Sequence, residues 1–411
     1  MARQCLAREY TLPFLTLWCK SLYIILEYGE VLRSRDTWKT GPFKRSSDEL
    51  WTKTWALDRP LAQLVTLALG RARAVPSDPS PMPPDLPLID AHCHVSGNTR
   101  VQDDDDGIQR CLMSTNQTDL KAIRSAKETL GNRVFAGFGV HPWYSHFFVE
   151  AGQNAGGNTG KANKLEHYSS VLRGPDSEAI AQQLPEPVPL QQYIYECLGQ
   201  CQGTGQDTPQ WASCIGEIGL DKVFRIPEPE PEPLPNDGPR PQARPKTTLS
   251  RTRTTMDHQI AIFTSMLDLA RAKRLPVSIH SVKCHGKVLE ICTKKLLDSS
   301  VNVCIHSFTG TLDTVHLWLA TFPHERLFFS VSWIINVDKT ETGSTNLLKH
   351  IPLQCILTET DCCVDVEPLD SQRSMLTRVL EAIAEAHSMS IEDAAATVQR
   401  NFARYIGETH S

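Results

Sequence analysis

Six short stretches carry imidazoles and carboxylates that could act together: Asp90-Ala-His92-Cys-His94, Gly139-Val-His141-Pro, Ile215-Gly-Glu217-Ile-Gly-Leu-Asp221, His280, His306 and Asp361. Neutral imidazole is a good ligand for Zn²⁺, Mn²⁺ or Fe²⁺. In an extended strand Asp90, His92 and His94 project to one face and Cys93 to the other. A His-x-His triplet alone recurs by chance in many proteins. Singly, each histidine reads as a satisfied or surface residue, as His324, His350 and His410 do. Five of the 14 histidines, however, fall in or just after an expected strand, so the ordinary reading must be invoked five times. His141 precedes a proline, which suits either a rigid turn or a contact to substrate from a rim. Asp90 and Asp221 suit the orientation of ligand imidazoles or the capping of backbone groups, and Glu359 receives no role.

The elements that must position these residues follow a βα rhythm. Short apolar runs at Leu88 to His94, Ile108 to Ser114, Val134 to Val140, Ala212 to Ile218, Pro276 to His280, Val301 to Ser307, Leu327 to Ser332 and Gln354 to Thr360 alternate with longer amphipathic stretches. Helical patterns cover Thr118 to Leu130, Met256 to Arg274, Ser371 to His387 and Ser390 to Ile406. Eight such runs predict a (β/α)₈ TIM barrel, whose strand ends meet at one rim. The proline-rich stretch 75–84 reads as a linker, so the expected division is a non-barrel extension over 1–84 and a barrel over 85–411. Two connections, about 145–189 and 225–255, are far longer than ordinary βα loops. Both follow a strand's C-terminal end, so they are insertions on the active face, with Gly/Asn-rich and Pro/Glu-rich parts expected to lack fixed structure.

Composition narrows the classes further. Hydrophobic residues make up 40% and charged residues 22% of the 411, ordinary for a chain with a sizeable core. A net charge of −5 would repel a polyanion, so contact with nucleic acid requires local basic groups or bound cations. One local group is the segment 238–253, with Arg240, Arg244, Lys246, Arg251 and Arg253 and no acidic residue; it reads as a solvated linker or as an electrostatic arm. Asp103 to Asp106 reads as a solvated loop, lacking the spaced oxygens of a Ca²⁺ loop. The 13 cysteines are odd in number and scattered, which points to a reducing compartment and hence to an intracellular, cytoplasmic or nuclear protein. The apolar run Leu12 to Tyr28 is interrupted by Lys20 and falls short of a membrane span. No clear small-residue cleavage pattern follows it.

The motifs Ile89-Asp-Ala-His-Cys-His94, Gly139-Val-His-Pro142, Ile215-Gly-Glu-Ile-Gly-Leu-Asp221, Cys304-Ile-His-Ser-Phe-Thr-Gly310 and Leu357-Thr-Glu-Thr-Asp361 resemble, in order and spacing, those of TatD-type metal-dependent deoxyribonucleases. Asn401-Phe-Ala-Arg404 resembles the asparagine and arginine of that family's last helix, so the resemblance spans roughly 86–407. Trp143 and Lys222-Val-Phe-Arg-Ile-Pro227 bring it nearest to the fungal branch that includes the Cut-nine-interacting protein, which implies an interaction role as well.

The resemblance implies two divalent metal ions, Mg²⁺, Mn²⁺ or Zn²⁺. His92, His94, Glu217 and Asp361 would hold one, and Glu217 would bridge to a second held by His280 and His306. Asp361 would be the general base and Glu217 the pivot, with His141 and Lys283 touching substrate and DNA ends as the substrate. Two departures stand out. Val282 followed by Lys283 replaces the family's arginine after the fifth-strand histidine, and Cys362-Cys363 replaces a proline after the final aspartate. Competing readings are an amidohydrolase acting on another small substrate, since fold does not fix substrate, and a scaffold that binds a protein partner through its long loops.

Overall fold

The computed structural model describes residues 86–96, 107–150, 163–198, 211–228, 249–338 and 345–408. Eight strands run parallel in one sheet: β1 Leu88–Cys93, β2 Ile108–Met113, β3 Val134–Phe138, β4 Cys214–Asp221, β5 Val277–Val282, β6 Val303–Ile305, β7 Leu327–Ser332 and β8 Ile356–Glu359, neighbouring in that order. Almost every residue in them is buried, as expected of parallel strands covered on both faces. The first and last strands close the barrel just past their ends. The Asp361 amide donates to His92 O (3.0 Å), the His94 amide to Cys362 O (2.8 Å) and the Val364 amide to His94 O (2.9 Å).

The expected runs all become strands, trimmed at most ends by fraying into the loops. β4 and β5 are the exceptions: β4 continues three residues beyond Ile218 to Asp221 and β5 two beyond His280 to Val282, because Gly219, Leu220 and Asp221 keep their register with His280, Ser281 and Val282. Gly219 is required there. Its φ is +148° and an added Cβ would lie 1.9 Å from His280 O, so only glycine lets β4 approach β5 this closely.

Helices α1 Leu120–Leu130, α2 Met256–Lys273, α3 His285–Leu296, α4 Leu312–Thr321, α5 Leu369–His387 and α6 Ile391–Ile406 surround the sheet. Their ends follow local chemistry. Thr255 caps α2 by accepting from the His258 amide. Ser390 caps α6 by accepting from the Asp393 amide, and Gly407 ends it at φ 82°. The asparagine and arginine of α6 prove to be clasps for β8. Asn401 donates to Leu353 O and Ile356 O, each at 2.8 Å, and Arg404 donates to Gln354 O and Glu325 O.

The barrel lies in one compact unit, Pro87–Ser411. The expected extension and linker, 1–84, and Asp103 to Asp106 lie outside the described residues. The two insertions are built where they are described. Phe148–Val149 pairs with Val188–Pro189, and Leu172–Arg173 of the first insertion pairs antiparallel with Arg253–Thr254 of the second. Their Gly/Asn-rich and Pro/Glu-rich parts, including Arg240, Arg244 and Lys246, lie outside the described residues. Arg251 and Arg253 are anchored: Arg251 stands 3.8 Å from Asp176, and Arg253 donates to Lys222 O.

Candidate metal centre

Glu217, fully buried on β4, has its two carboxylate oxygens in two separate sets of donors. Oε2 stands 3.6 Å from His92 Nε2 and 3.5 Å from His94 Nε2, while Asp361 Oδ1 stands 3.8 and 3.2 Å from the same nitrogens. A cation bound at about 2.1 Å in tetrahedral geometry keeps its ligand atoms about 3.4 Å apart. His92, His94 and Glu217 therefore gather closely enough to hold one divalent ion, and Asp361 Oδ1 stands beside the same two imidazoles. Oε1 stands 2.7 Å from His306 Nε2, 3.0 Å from His280 Nδ1 and 3.1 Å from His141 Nε2, and His280 Nδ1 is 3.1 Å from His306 Nε2. Separations near 3.0 Å match right-angle neighbours around an ion with ligands at about 2.1 Å. Buried His92 Nε2 aims at the first set and has no hydrogen-bond partner, as expected of a nitrogen reserved for a cation.

Each imidazole is turned by a group behind it. His94 Nδ1 lies 2.9 Å from Met113 O, an acceptor only, so the proton sits on Nδ1 and the Nε2 lone pair faces the set. His92 Nδ1 is 2.8 Å from Ser278 Oγ. His280 Nε2 faces Asp221 Oδ2 at 3.5 Å. Asp221 is itself held by Trp143 Nε1 (2.7 Å) and by the amides of Val223 and Phe224 (2.8 and 2.9 Å). Asp221 thus performs both roles expected of it, orienting an imidazole and capping a turn. Asp90 performs only the second. Buried, it accepts from the Thr360 amide (2.9 Å) and hydroxyl (2.6 Å) and so braces the turn in which Asp361 adopts φ 55°. That brace explains why Cys362-Cys363 in place of proline still leaves Asp361 against His94.

His141 is brought into the second set, where a substrate contact from the rim was expected. Its Nδ1 accepts from the Trp143 amide at 3.1 Å, so a neutral ring carries its proton on Nε2 and presents a donor where His280 presents Nδ1. Lys283, in a left-handed turn at φ 54°, is exposed and is not brought into either set. Glu359 was missed. It is fully buried, accepts hydrogen bonds from Ser307 and Ser330, and lies 3.7 Å from His306 Nδ1. His92, His306 and Glu359 could in principle gather an ion, but both imidazoles already serve the sets around Glu217.

Electrostatics agree with this division. Burial, reinforced by neighbouring His306, lowers His92 to about 4, so it is neutral near pH 7. Burial would also lower His306, but Glu217 and Glu359 outweigh it and raise the imidazole to about 10. His280 is raised too, burial being outweighed by Asp221 and Glu217. The carboxylates therefore call for positive charge at the second set, which a divalent cation supplies.

An eight-stranded parallel barrel with histidines and carboxylates converging at its C-terminal rim is the layout of metal-centred barrel hydrolases. The chain belongs to the TatD-related DNase family, whose model matches residues 89–407. It is 38% identical over 337 residues to an uncharacterized deoxyribonuclease of Saccharomyces cerevisiae, covering 78% of this chain and 99% of that one. It is 24% identical over 355 residues to the Cut9-interacting protein scn1 of Schizosaccharomyces pombe, again covering 78% and 99%. Among solved structures, a TatD-family hydrolase of Entamoeba histolytica aligns with 15% identity and a TM-score of 0.49, over 78% of this chain and 98% of that one.

Proposed function

We propose that the chain is a divalent-metal-dependent phosphodiesterase that releases nucleotides from DNA ends. The observation that carries this reading is Glu217, with one oxygen in each of two donor sets at ligand spacing. His92, His94, Glu217 and Asp361 would hold one Mg²⁺, Mn²⁺ or Zn²⁺, and Glu217, His280 and His306 a second. Divalent ions held there would supply Lewis acidity toward a phosphodiester and toward a bound water.

The chain's own groups supply the rest. Asp361, the least buried of the ligand carboxylates at 10%, stands at the rim where its carboxylate can take the proton of an attacking water. The Nε2–H of His141 can donate to a phosphate oxygen next to the second set, and exposed Lys283 can meet the next phosphate as a point charge. Substrate contact by His141 thus remains compatible with its place in the second set. The overall charge of −5 leaves attraction of DNA to the cations and such local groups.

A second reading, a scaffold that binds a protein partner through the rim insertions, draws on the relative named for interaction with Cut9. We place either activity inside the cell, since all ten described cysteines are free, and read residues 1–84 as an appendage to the barrel. No described helix is long and apolar enough to cross a membrane. The test is Mg²⁺- or Mn²⁺-dependent release of nucleotides from end-labelled single-stranded DNA by wild type and Asp361→Asn. Release lost by at least 100-fold in the variant is expected. A metal-loaded, folded wild type without activity would favour another substrate or the scaffold.

A further inference from the structure

Glu359 ends β8 two residues before Asp361 and is fully buried. A buried carboxylate is costly unless its oxygens are satisfied and its charge is answered. Its oxygens are satisfied. Oε1 accepts from the Ser307 amide at 2.8 Å and from the Ser307 hydroxyl, and Oε2 accepts from the Ser330 hydroxyl. Ser307 follows β6 and Ser330 lies on β7, so two neighbouring strands hold the carboxylate in one orientation. Ser332 supports the cage through a 3.1 Å hydrogen bond with the Ser307 hydroxyl.

That orientation sets Oε1 3.7 Å from His306 Nδ1, a buried nitrogen without a hydrogen-bond partner. The separation exceeds a direct hydrogen bond, so the influence is electrostatic. A carboxylate only accepts, and it favours the proton on the nitrogen nearer to it. His306 Nε2, across the ring, lies 2.7 Å from Glu217 Oε1 and 3.1 Å from His280 Nδ1. In the metal-free site Glu217 Oε1, nearer still, answers a proton on Nε2; a cation in the second donor set would take the Nε2 lone pair in its place, leaving the ring's one proton on Nδ1, on the side that Glu359 faces. The His306 ring also stacks on His92, with centroids 4.0 Å apart and planes 9° from parallel, so its orientation bears on the first set as well.

We propose that Glu359 is a positioning residue that holds His306 as the Nδ1–H tautomer, keeping the Nε2 lone pair for a cation in the second donor set. The inference rests on reading this site as a divalent-metal centre. Glu359→Gln keeps the volume and can still bond the serines, but it removes the charge that selects the tautomer.

The experiment is Mn²⁺ titration of the full chain by electron paramagnetic resonance, with thermal unfolding of the metal-free protein alongside. Wild type should bind two Mn²⁺. Glu359→Gln should keep the first affinity and bind the second ion roughly 10- to 100-fold more weakly, and Ser330→Ala, which frees one carboxylate oxygen, should weaken it in the same direction. Equal affinities in wild type and Glu359→Gln would overturn the proposal. Wild type binding no Mn²⁺ would overturn the metal-centre reading beneath it. If Glu359→Gln does not fold, ¹⁵N-histidine spectra of Mg²⁺-saturated wild type decide: a protonated His306 Nδ1 is expected, and a bare one would overturn the assignment.

Discussion

At the scale of single residues, the donor sets depend on what stands behind each imidazole. Asp221 illustrates this, because it faces His280 while Trp143 and two backbone amides hold it still. Asp221→Asn should therefore weaken the second cation roughly 10- to 100-fold and lower folding stability by about 1–3 kcal/mol through mismatched buried hydrogen bonds. Metal titration and urea unfolding read the two effects separately. An unchanged metal affinity would reduce Asp221 to a turn cap.

The ligands themselves were legible in sequence, since His92, His94, Glu217, His280, His306 and Asp361 each fall near or just past the end of an expected apolar run. Their supports were not. Ser278 lies 186 positions from His92, and Glu359 meets Ser307 and Ser330 from other strands, so no local pattern could pair them. His141 was legible as a site residue, but the cap it makes with the Trp143 amide sets which nitrogen it presents, and that is a property of the folded turn.

At the scale of elements, the β4–β5 contact carries the site, because Glu217 rides on β4 and His280 on β5. Gly219→Ala would force a Cβ to 1.9 Å from His280 O and, with φ at +148°, would strain the backbone wherever the strand moved. A loss of several kcal/mol is expected, seen as a large fall in the thermal midpoint or a failure to accumulate folded protein.

The first insertion is seated by three buried histidines. His258 Nε2 lies 2.9 Å from Ser145 O, His167 Nε2 2.8 Å from His146 O, and His146 Nδ1 3.4 Å from Thr254 Oγ1. Burial lowers His146 to about 3 and His258 to about 4, and lowers His167 as well. The unfolded chain takes up these protons near pH 6.5, while in the folded chain His146 and His258 resist them down to about 3 and about 4 and His167 resists in the same direction. Stability is thus fully present above pH 6.5 and is lost as pH falls below it. Urea unfolding at pH 7.5 and pH 5 should show a lower midpoint at pH 5. His258→Gln should shrink the difference, and equal slopes for variant and wild type would contradict the assignment. The insertions were legible as overlong loops, but their mutual strand pairing was not, because Leu172–Arg173 and Arg253–Thr254 are pairs too short to leave a periodic signal.

At the scale of the whole molecule, the barrel was readable from eight apolar runs and their spacing. Strand lengths drifted where tertiary pairing, not local composition, decides the end, as at Leu220 and Asp221. The charge of −5 makes any polyanion depend on local positive charge. Since Arg251 and Arg253 are tied to the body, an electrostatic arm would be confined to 238–248. Deleting that segment should flatten the salt dependence of single-stranded DNA binding, and an unchanged slope would identify it as a linker.

The central claim is that one carboxylate joins two cation sites, and Glu217→Gln tests it most directly. Mn²⁺ stoichiometry and nucleotide release from end-labelled single-stranded DNA should be measured on the same folded preparations. Wild type should hold two ions and release nucleotides, whereas Glu217→Gln should lose at least one ion and at least 100-fold in activity. A variant that keeps both ions and its activity would contradict the account.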